Sequence, residues 1–444
     1  MTKASLAVSL LLCLSFAIPL VAQDSHYWTN QYGTESWLLG GAVVGSRTDL
    51  ASTFYNPASL AFYPDSIALL TAVSLNWSRT AIEARDVNLN LVSANAAPLP
   101  TLVSVNLPIK FLGSQALQFS FLKRTDVRMH LNGIVYSPQG SDPSYVVTGS
   151  IIRELFDSWF GVTWSRLYGK VHGVGITGYV SAVGSTFSSA VTSSATGANI
   201  NGSSTLTDYQ SYDNIRFVAK GGYYYDGRPI SLGIAVTSPS LKLFNTIGEV
   251  RSSASNIVSD SVITLYGNRQ TALNAEYKTP LSIAIGATWY APKTTLYLTV
   301  EWFSGLDTYS PLQPEPFLGI IPAATVVYGT TVKRYAIANV GIAVSQQMSR
   351  TSSMYVSLIR DGSSLKTSDV EDDAIVNYDL YHATLGWQFT IDKTVVTAGG
   401  IVGGGFSDNA SASSLDQFVG LLSGSKISRY FLRIGALIGI VARF

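Results

Sequence analysis

Strict two-residue alternation is the feature of this sequence that most limits its fold. Four segments show it: 230–237, 281–290, 296–303 ("LYLTVEWF") and 381–391. Successive side chains of a β-strand point to opposite faces, so each segment predicts a strand with Leu, Ile, Val and Trp on one face and mostly small or weakly polar residues on the other. A soluble β-sandwich also alternates, but its outer face would carry many Lys and Glu residues, and these faces carry almost none. The pattern therefore favours a membrane β-barrel, an all-β fold.

The composition supports this interpretation. Charged residues make up 13% of the chain and hydrophobic residues 47%, whereas soluble domains carry about 25% charged residues. No segment beyond the first residues approaches the ~18 consecutive apolar residues of a membrane helix. Without Lys3 the chain has 28 basic and 28 acidic residues, so bulk charge recruits neither nucleic acid nor an anionic surface.

The chain begins with a pattern typical of a secretory leader. Lys3 precedes the apolar run 4–20, and Ala22 is a plausible cleavage point, which predicts a signal peptide over 1–22. A retained membrane anchor is the alternative. Cys13 is the only cysteine and follows Leu12 rather than a small residue, which argues against lipidation. Export without disulfides is then expected.

The connections between alternating segments predict the strand number. Short turns and long loops alternate along the chain. The six short turns are 111–115, 168–171, 226–228, 291–293, 347–350 and 392–393. The seven long connections are 79–99, 129–157, 184–213, 240–278, 304–330, 362–376 and 405–428. This pattern predicts a 14-stranded antiparallel barrel over 65–444, with the Ser/Thr-rich stretch 185–214 as a mobile outer loop.

The last strand, "YFLRIGALIGIVARF", ends the chain at Phe444. A terminal aromatic residue on an amphipathic last strand is the usual assembly signature of outer-membrane barrels, so we expect the barrel-assembly machinery to bind it. The same alternation directs Arg433 and Arg443 towards the lumen. Glu301 is directed inward in its own strand.

Residues 23–64 precede the barrel and are rich in aromatic side chains. A disordered tail would be poor in them, so we expect this segment to plug the lumen against small inward-facing residues. Asn56 and Pro57 predict a short capped helix, because Asn is a good N-cap and Pro suits the first helical position. Gly40 and Gly41 allow a tight reversal.

This segment carries a family resemblance. "LLGGAVVGSRTDLASTFYNPASLAFYP" (38–64) resembles the N-terminal hatch of the FadL-type outer-membrane transporters, through its Gly-Gly stretch, Ser/Thr-Asp segment and aromatic-Asn-Pro-Ala motif. "TPLSIAIGATWYAPKTTLYLTVEWF" (279–303) resembles a second feature of that family. The resemblance implies passive transport of hydrophobic compounds such as long-chain fatty acids, with release through a lateral opening near a kink in the third strand. Residues 116–128, the predicted third strand, carry no Pro or Gly to mark that kink.

Candidate site residues follow from the hatch and the lumen. Five apolar hatch residues either line the ligand pocket or anchor the plug: Trp37, Leu38, Leu39, Phe54 and Tyr55. Arg47 either holds a ligand carboxylate or pairs with Asp49 or with an inward carboxylate such as Glu301. Glu301, Arg433 and Arg443 either dock the hatch or contact the ligand.

Other functions have weaker support. Gly173, Gly175 and Gly178 have dinucleotide-motif spacing but lie in an alternating strand with no helix after it. The four histidines are scattered, so we expect no metal. The sequence has no GxSxG motif and no P-loop, so we expect no cofactor and no catalysis, with a barrel hydrolase that uses a Ser-His pair of the wall as the alternative. Two further alternatives stay open: a barrel that docks a partner or acts as a shuttle in secretion, supported by the apolar loop 311–329, and a polar-solute porin. We expect a monomer in outer-membrane lipid.

Overall fold

The computed structural model describes twelve ranges of the chain: 25–63, 68–84, 89–108, 115–137, 140–141, 144–198, 201–244, 247–259, 261–328, 330–365, 377–408 and 427–443. The predicted leader, most of the predicted connections 111–115, 362–376 and 405–428, Phe444 and the side chain of Arg443 lie outside the described residues. No helix in these ranges is long and apolar enough to cross a membrane.

The described residues form 21 strands, numbered along the chain, and fourteen of them close into one antiparallel barrel. The barrel strands are β1 (Ala68–Ala84), β2 (Leu89–Pro108), β3 (Gln115–Tyr136), β4 (Ser144–Tyr168), β5 (His172–Thr196), β6 (Asn201–Gly227), β7 (Ile230–Thr237), β11 (Ser282–Tyr290), β12 (Thr294–Phe303), β17 (Ile337–Gln347), β18 (Ser352–Asp361), β19 (Leu380–Ile391), β20 (Thr394–Asp408) and β21 (Ile427–Arg443). The pairing of β1 with β21 closes the ring. The predicted fourteen-strand fold is confirmed.

The two faces of the wall differ as the alternation predicts. Outward-facing Ile285, Leu298 and Trp302 are about half exposed, whereas inward-facing Ala284 and Thr299 are buried. Short connections such as 291–293 and 392–393 mark one end of the barrel, here called the turn end. The opposite end is the loop end.

The loop end is taller than predicted. The predicted loops 79–99, 129–157 and 184–213 fall mostly within strands β1 to β6, and the predicted mobile loop 185–214 is strand over 185–196 and 201–214. The ladder between β5 and β6 continues up to Thr196 and Asn201. The loop prediction is wrong because Ser and Thr suit strands as well as loops, and buried Val191 and Leu206 keep the stretch in alternation.

Seven further strands build a layer at the loop end: β8 (Leu241–Lys242), β9 (Ile247–Val258), β10 (Ser261–Asn274), β13 (Leu306–Tyr309), β14 (Phe317–Leu318), β15 (Thr325–Val326) and β16 (Val332–Arg334). The β9–β10 hairpin pairs with the upper part of β6. The segment 304–336 folds over its inner face, where Phe317 packs against Tyr266 and Tyr328.

The N-terminal segment, residues 25–63, lies inside the ring. It contains helices α1 (Glu35–Leu38) and α2 (Ser52–Tyr55) and the 3-10 helix η1 (Pro57–Phe62). Asn56 is extended, and its side chain accepts a hydrogen bond from the Ala58 amide at 3.1 Å, which confirms the predicted cap. Gly40 and Gly41 take positive φ at the predicted reversal.

Candidate functional site

Inward-facing glycines let the N-terminal segment approach the wall closely. A Cβ on Gly222 would overlap the Asn56 side chain, and one on Gly233 would overlap the Val44 carbonyl. A Cβ on Gly286 would overlap the Gly45 backbone. A side chain at any of these positions would push the segment away, because packed backbone cannot give way cheaply.

Two buried carboxylates hold the segment in shape. Asp49 accepts hydrogen bonds from the amides of Thr34 (2.7 Å), Ser36 (3.1 Å) and Ala51 (2.9 Å). Asp361, at the loop end of β18, accepts from the Trp28 amide at 3.1 Å. Carboxylate acceptors of several amides make strong bonds, so both aspartates fix the chain path.

The apolar candidates of the segment divide into two groups. Trp37, Leu38 and Leu39 are fully buried and form its core. Phe54 and Tyr55 are partly exposed at the edge of this core, and the Tyr55 hydroxyl accepts a hydrogen bond from the Tyr32 amide at 2.9 Å. The burial of the first group is consistent with an anchoring role.

Arg47 pairs with a carboxylate of the wall. Its guanidinium lies 3.4 Å from the carboxylate of Asp226, near the turn end of β6, and 5.4 Å from the centre of the Phe62 ring. Asp49 is committed to the amides of the segment, and Glu301 accepts from the Trp28 indole and the Ser282 hydroxyl, both at 2.6 Å. Arg47 thus pairs with an inward wall carboxylate, as one of its two interpretations predicts, but the carboxylate is that of Asp226 and not that of Asp49 or Glu301.

Aromatic rings of the segment and of the wall meet around Phe54, and this region of the lumen is here called the chamber. Phe54 is its centre: the Tyr32 and Trp159 rings lie 4.4 and 6.1 Å from it. The Lys220 ammonium lies 4.6 Å from the centre of the Phe54 ring, and the Arg124 guanidinium lies 5.6 Å from it. Within the described ranges neither cation has a carboxylate at ion-pair distance.

A buried ion pair lies beside this chamber. Arg216 and Asp157 face each other on the inner wall, both almost fully buried, and Asp157 also accepts from the Trp159 indole at 2.9 Å. The Tyr277 ring covers the Arg216 guanidinium at 4.4 Å. Arg216 therefore has an ion-pair partner, whereas Glu301 acts on Lys220 and Arg124 only from beyond ion-pair distance.

The wall is interrupted next to the chamber. β2 and β3 pair at Val92–Asn132 and from Leu102–Leu122 onward, and no ladder pair joins 93–101 to 123–131. Arg124 is a bulge in the β3–β4 pairing. Its carbonyl accepts hydrogen bonds from the Asn30 side chain (3.3 Å) and the Tyr32 hydroxyl (3.0 Å), both in the N-terminal segment.

Prolines account for part of this interruption. Pro98 and Pro100 lie in the stretch of β2 that is paired with β1 but not with β3, and they have no amide hydrogen to donate. The bulge bends β3 and disturbs its ladder locally. The backbones of β2 and β3 are therefore not joined by a ladder along this stretch.

The lumen-facing charges contact the N-terminal segment. Arg433 is buried and donates to the Thr29 carbonyl and to the Asn76 side chain. Glu301 accepts from Trp28, as above. Both positions are consistent with a docking role, and the side chain of Arg443 lies outside the described residues.

Sequence reasoning missed the two chamber cations. Lys220 lies on the same inner face of β6 as Val218 and Arg216, two and four residues away, so the two-residue alternation could have placed it inward. Arg124 had no such signal, because the bulge changes the phase of β3 at that residue. In the described part of the chain, no group of three His, Cys, Asp or Glu side chains could hold a metal.

The layer at the loop end contains a buried carboxyl. Asp208 on β6 is 5% exposed, and neither oxygen has a hydrogen-bond partner among the described residues. Burial raises the pKa of Asp208 from 3.8 to about 6. Below pH 3.8 the carboxyl is neutral and its burial does not lower the free energy of unfolding. As the pH rises from 3.8 through 6, the free energy of unfolding falls by about 3 kcal/mol in total.

We therefore expect Asp208→Asn to make the β9–β10 layer insensitive to pH. In the wild type, amide exchange in this layer should speed up between pH 4 and pH 6, after correction for intrinsic rates, because the carboxyl ionises in the opened layer while it stays protonated in the closed one. The variant should show flat protection. Asp213→Asn, an exposed position on the same strand, is the control, and a pH response in the Asp208→Asn protein equal to that of the wild type would refute the prediction.

Solved structures share this architecture. A FadL homologue from Pseudomonas aeruginosa superposes with a TM-score of 0.63 at 11% identity, over 94% of this chain and 99% of that chain. The P. putida toluene transporter TodX gives 0.62 at 11% identity, over 94% and 99%. The chain has the FadL fold. The Ralstonia pickettii toluene transporter TbuX gives 0.53 at 12% identity, over 94% and 99%.

The resemblance seen in the sequence is thus confirmed at the level of the fold. No protein-family model matches the chain, and no curated protein matches it. At such low identity the likeness extends to the fold alone, so the function is argued from the chamber and the wall.

Proposed function

We propose that this protein is an outer-membrane channel for passive uptake of hydrophobic compounds. The observation that carries the proposal is the interrupted β2–β3 ladder beside the chamber around Phe54. The N-terminal segment fills the lumen below, so a ligand entering from the loop end meets a closed floor and an open side. The TodX and TbuX structures are described as toluene transporters, which is consistent with this route.

The route needs no energy source. An apolar ligand leaves water at the loop end and enters the bilayer through the side of the wall. Each square ångström of apolar surface removed from water contributes about 25 cal/mol. In this proposal the protein supplies only a path that avoids the polar surface layer of the membrane.

The domain roles follow from the same proposal. Residues 1–22 are a leader removed on export, 23–64 act as a hatch, and 65–444 form the transmembrane wall. Phe444 at the chain end is the contact for the assembly machinery, and the barrel works as a monomer. The chamber lies between hatch and wall, which gives a single channel per chain.

Two cations without a contact ion pair indicate the ligand class. Lys220 and Arg124 flank the Phe54 ring with no carboxylate at ion-pair distance among the described residues, and Glu301 acts on both from further away. A buried charge is stabilised most by an anion in direct contact, so a ligand that supplies one is favoured over a neutral one. We infer a compound with an apolar body and one anionic head group.

Lys220→Met is the direct test of this ligand class. The variant keeps the approximate length of the side chain and removes its charge, so retention of a long-chain alkyl carboxylate should fall roughly tenfold. Retention of the corresponding alkane should not change. Mass spectrometry of compounds retained by the purified barrel measures both, and Lys220→Arg should restore the carboxylate.

Lys242→Met removes an equal charge from exposed β8 and serves as the matched control. If the wild type retains the carboxylate and the alkane equally, the ligand is not selected by an anionic head group. That result would still agree with a channel for neutral compounds.

Docking of a partner is the second candidate function. The β14–β15 hairpin presents Leu318, Ile320 and Val327, each more than 60% exposed, at the loop end. Surface apolar residues in such a cluster favour contact with another apolar molecule. Deleting 317–326 should abolish partner capture if docking is the function, and it should leave uptake through the chamber intact.

A further inference from the structure

The outer face of the wall changes character above the apolar band. On β6 the outward-facing residues from Tyr225 to Ile215 carry no charge. The next outward residue, Asp213, is exposed and charged. Tyr209 lies four residues further along. With a rise of about 3.3 Å per residue and a tilt of about 40°, Tyr209 lies roughly 10 Å above Asp213 along the barrel axis. In the proposed orientation this height faces the head groups of the outer leaflet.

A groove crosses four strands at this height. Ser188, Tyr209, Arg251 and Arg269 lie opposite one another on β5, β6, β9 and β10. The adjacent row is small: Thr207, Ser253 and Gly267. The difference in side-chain size leaves a groove of about 540 Å³ on the outer face.

The groove carries an excess positive charge. Arg251 and Arg269 are directly opposite in the β9–β10 register, and like charges in that position destabilise a sheet. Glu249 accepts hydrogen bonds from both, that from Arg269 at 2.7 Å. These bonds lower the pKa of Glu249 to about 2, so one fixed carboxylate faces two guanidinium groups.

Both arginines remain reachable from outside. The side chains of Arg251 and Arg269 are 52% and 61% exposed. A guanidinium has five donors, and the bond to Glu249 leaves several of them free for a second anion. The Arg251 guanidinium lies 5.1 Å from the centre of the Tyr209 ring, which places an aromatic surface beside the charge.

We propose that this groove binds the anionic sugar head group of glycolipids in the surrounding outer leaflet. A phosphate or carboxylate would bind to Arg251 and Arg269. The sugar would lie in the groove against Tyr209, within reach of the Thr207 and Ser253 hydroxyls. The inference rests on the membrane orientation in the proposed function, and it is independent of transport.

The test uses the intact barrel in phosphatidylcholine vesicles that contain either lipopolysaccharide or phosphatidylglycerol at equal surface charge. Native mass spectrometry counts the lipids retained after extraction. Wild-type barrel should retain lipopolysaccharide in preference to phosphatidylglycerol. Arg251→Ser with Arg269→Ser should lower its affinity for lipopolysaccharide at least about tenfold, since charged hydrogen bonds are lost.

The control variant removes the same charge at the turn end, through Arg166→Ser and Arg228→Ser, both exposed. It should retain lipopolysaccharide like the wild type. Heat-dependent gel mobility shows whether each variant is folded. Equal loss in both variants, or equal retention of phosphatidylglycerol by the wild type, would overturn the proposal. Uptake through the chamber should be unchanged in the folded Arg251/Arg269 variant, so failure here and failure of the proposed channel are separable.

Discussion

Valine at Gly222 and Gly286 is expected to turn the closed barrel into an open pore. Both glycines face the N-terminal segment, and a Cβ at either position overlaps its backbone or the Asn56 side chain. Overpacking costs about 1–3 kcal/mol at each site, so the segment should leave its position. A lumen of fourteen strands without a plug is wide enough for water and ions. Planar-bilayer recording should then show a steady current that the wild type lacks.

The neighbouring residues provide a matched control. Gly221 and Ala287 are adjacent in sequence to Gly222 and Gly286 but point to the outer face, and a Cβ at Gly221 meets nothing within 4 Å. Gly221→Val with Ala287→Val should stay closed. If the inward pair also stays closed while folded, the segment does not occlude the lumen in the way described.

Bridging β2 and β3 is expected to stop uptake. The chain has no cysteine after Cys13, so Ala96→Cys and Arg128→Cys introduce a single reactive pair. The register at either end of the interruption places these residues opposite each other, and both are exposed. A cleavable bismaleimide should join the strands and reduce the rate of ligand transfer to the background level of empty vesicles.

Cleavage of the linker should restore transfer in the same sample. Ile342→Cys with Leu358→Cys spans an intact ladder between β17 and β18, and its cross-linking should have no effect. Undiminished transfer in the linked Ala96/Arg128 variant would rule out the β2–β3 interruption as the exit. The chamber and the exit are thus tested separately from the plug.

The sequence predicts most of the wall because the wall follows one local rule. Leu298 points outward and Thr299 points inward because successive side chains of a strand alternate between its faces. This alternation can be read from the sequence without a structure. The Asn56 cap is equally local. The height of β5 and β6 does not follow from residue type, because Ser and Thr suit both loops and strands, and only the alternation carried the signal.

Features that depend on distant contacts could not be predicted. Arg47 contacts Asp226 only because the fold brings the N-terminal segment next to the end of β6. Arg124 faces Phe54 because a bulge changes the phase of β3, and a bulge needs no Pro or Gly. The third strand alone therefore gives no signal for an opening, whereas Pro98 and Pro100 in β2 do.

The hydrogen bonds at the Arg124 carbonyl have a mechanical consequence. Asn30 and Tyr32 belong to the segment that fills the lumen, and Arg124 belongs to the strand that borders the interruption. A displacement of the segment therefore releases the bulged strand, and a ligand that pushes the strand aside pulls on the segment. The N-terminal segment and the β2–β3 interruption are mechanically coupled through these hydrogen bonds. We therefore expect them to open together rather than in sequence.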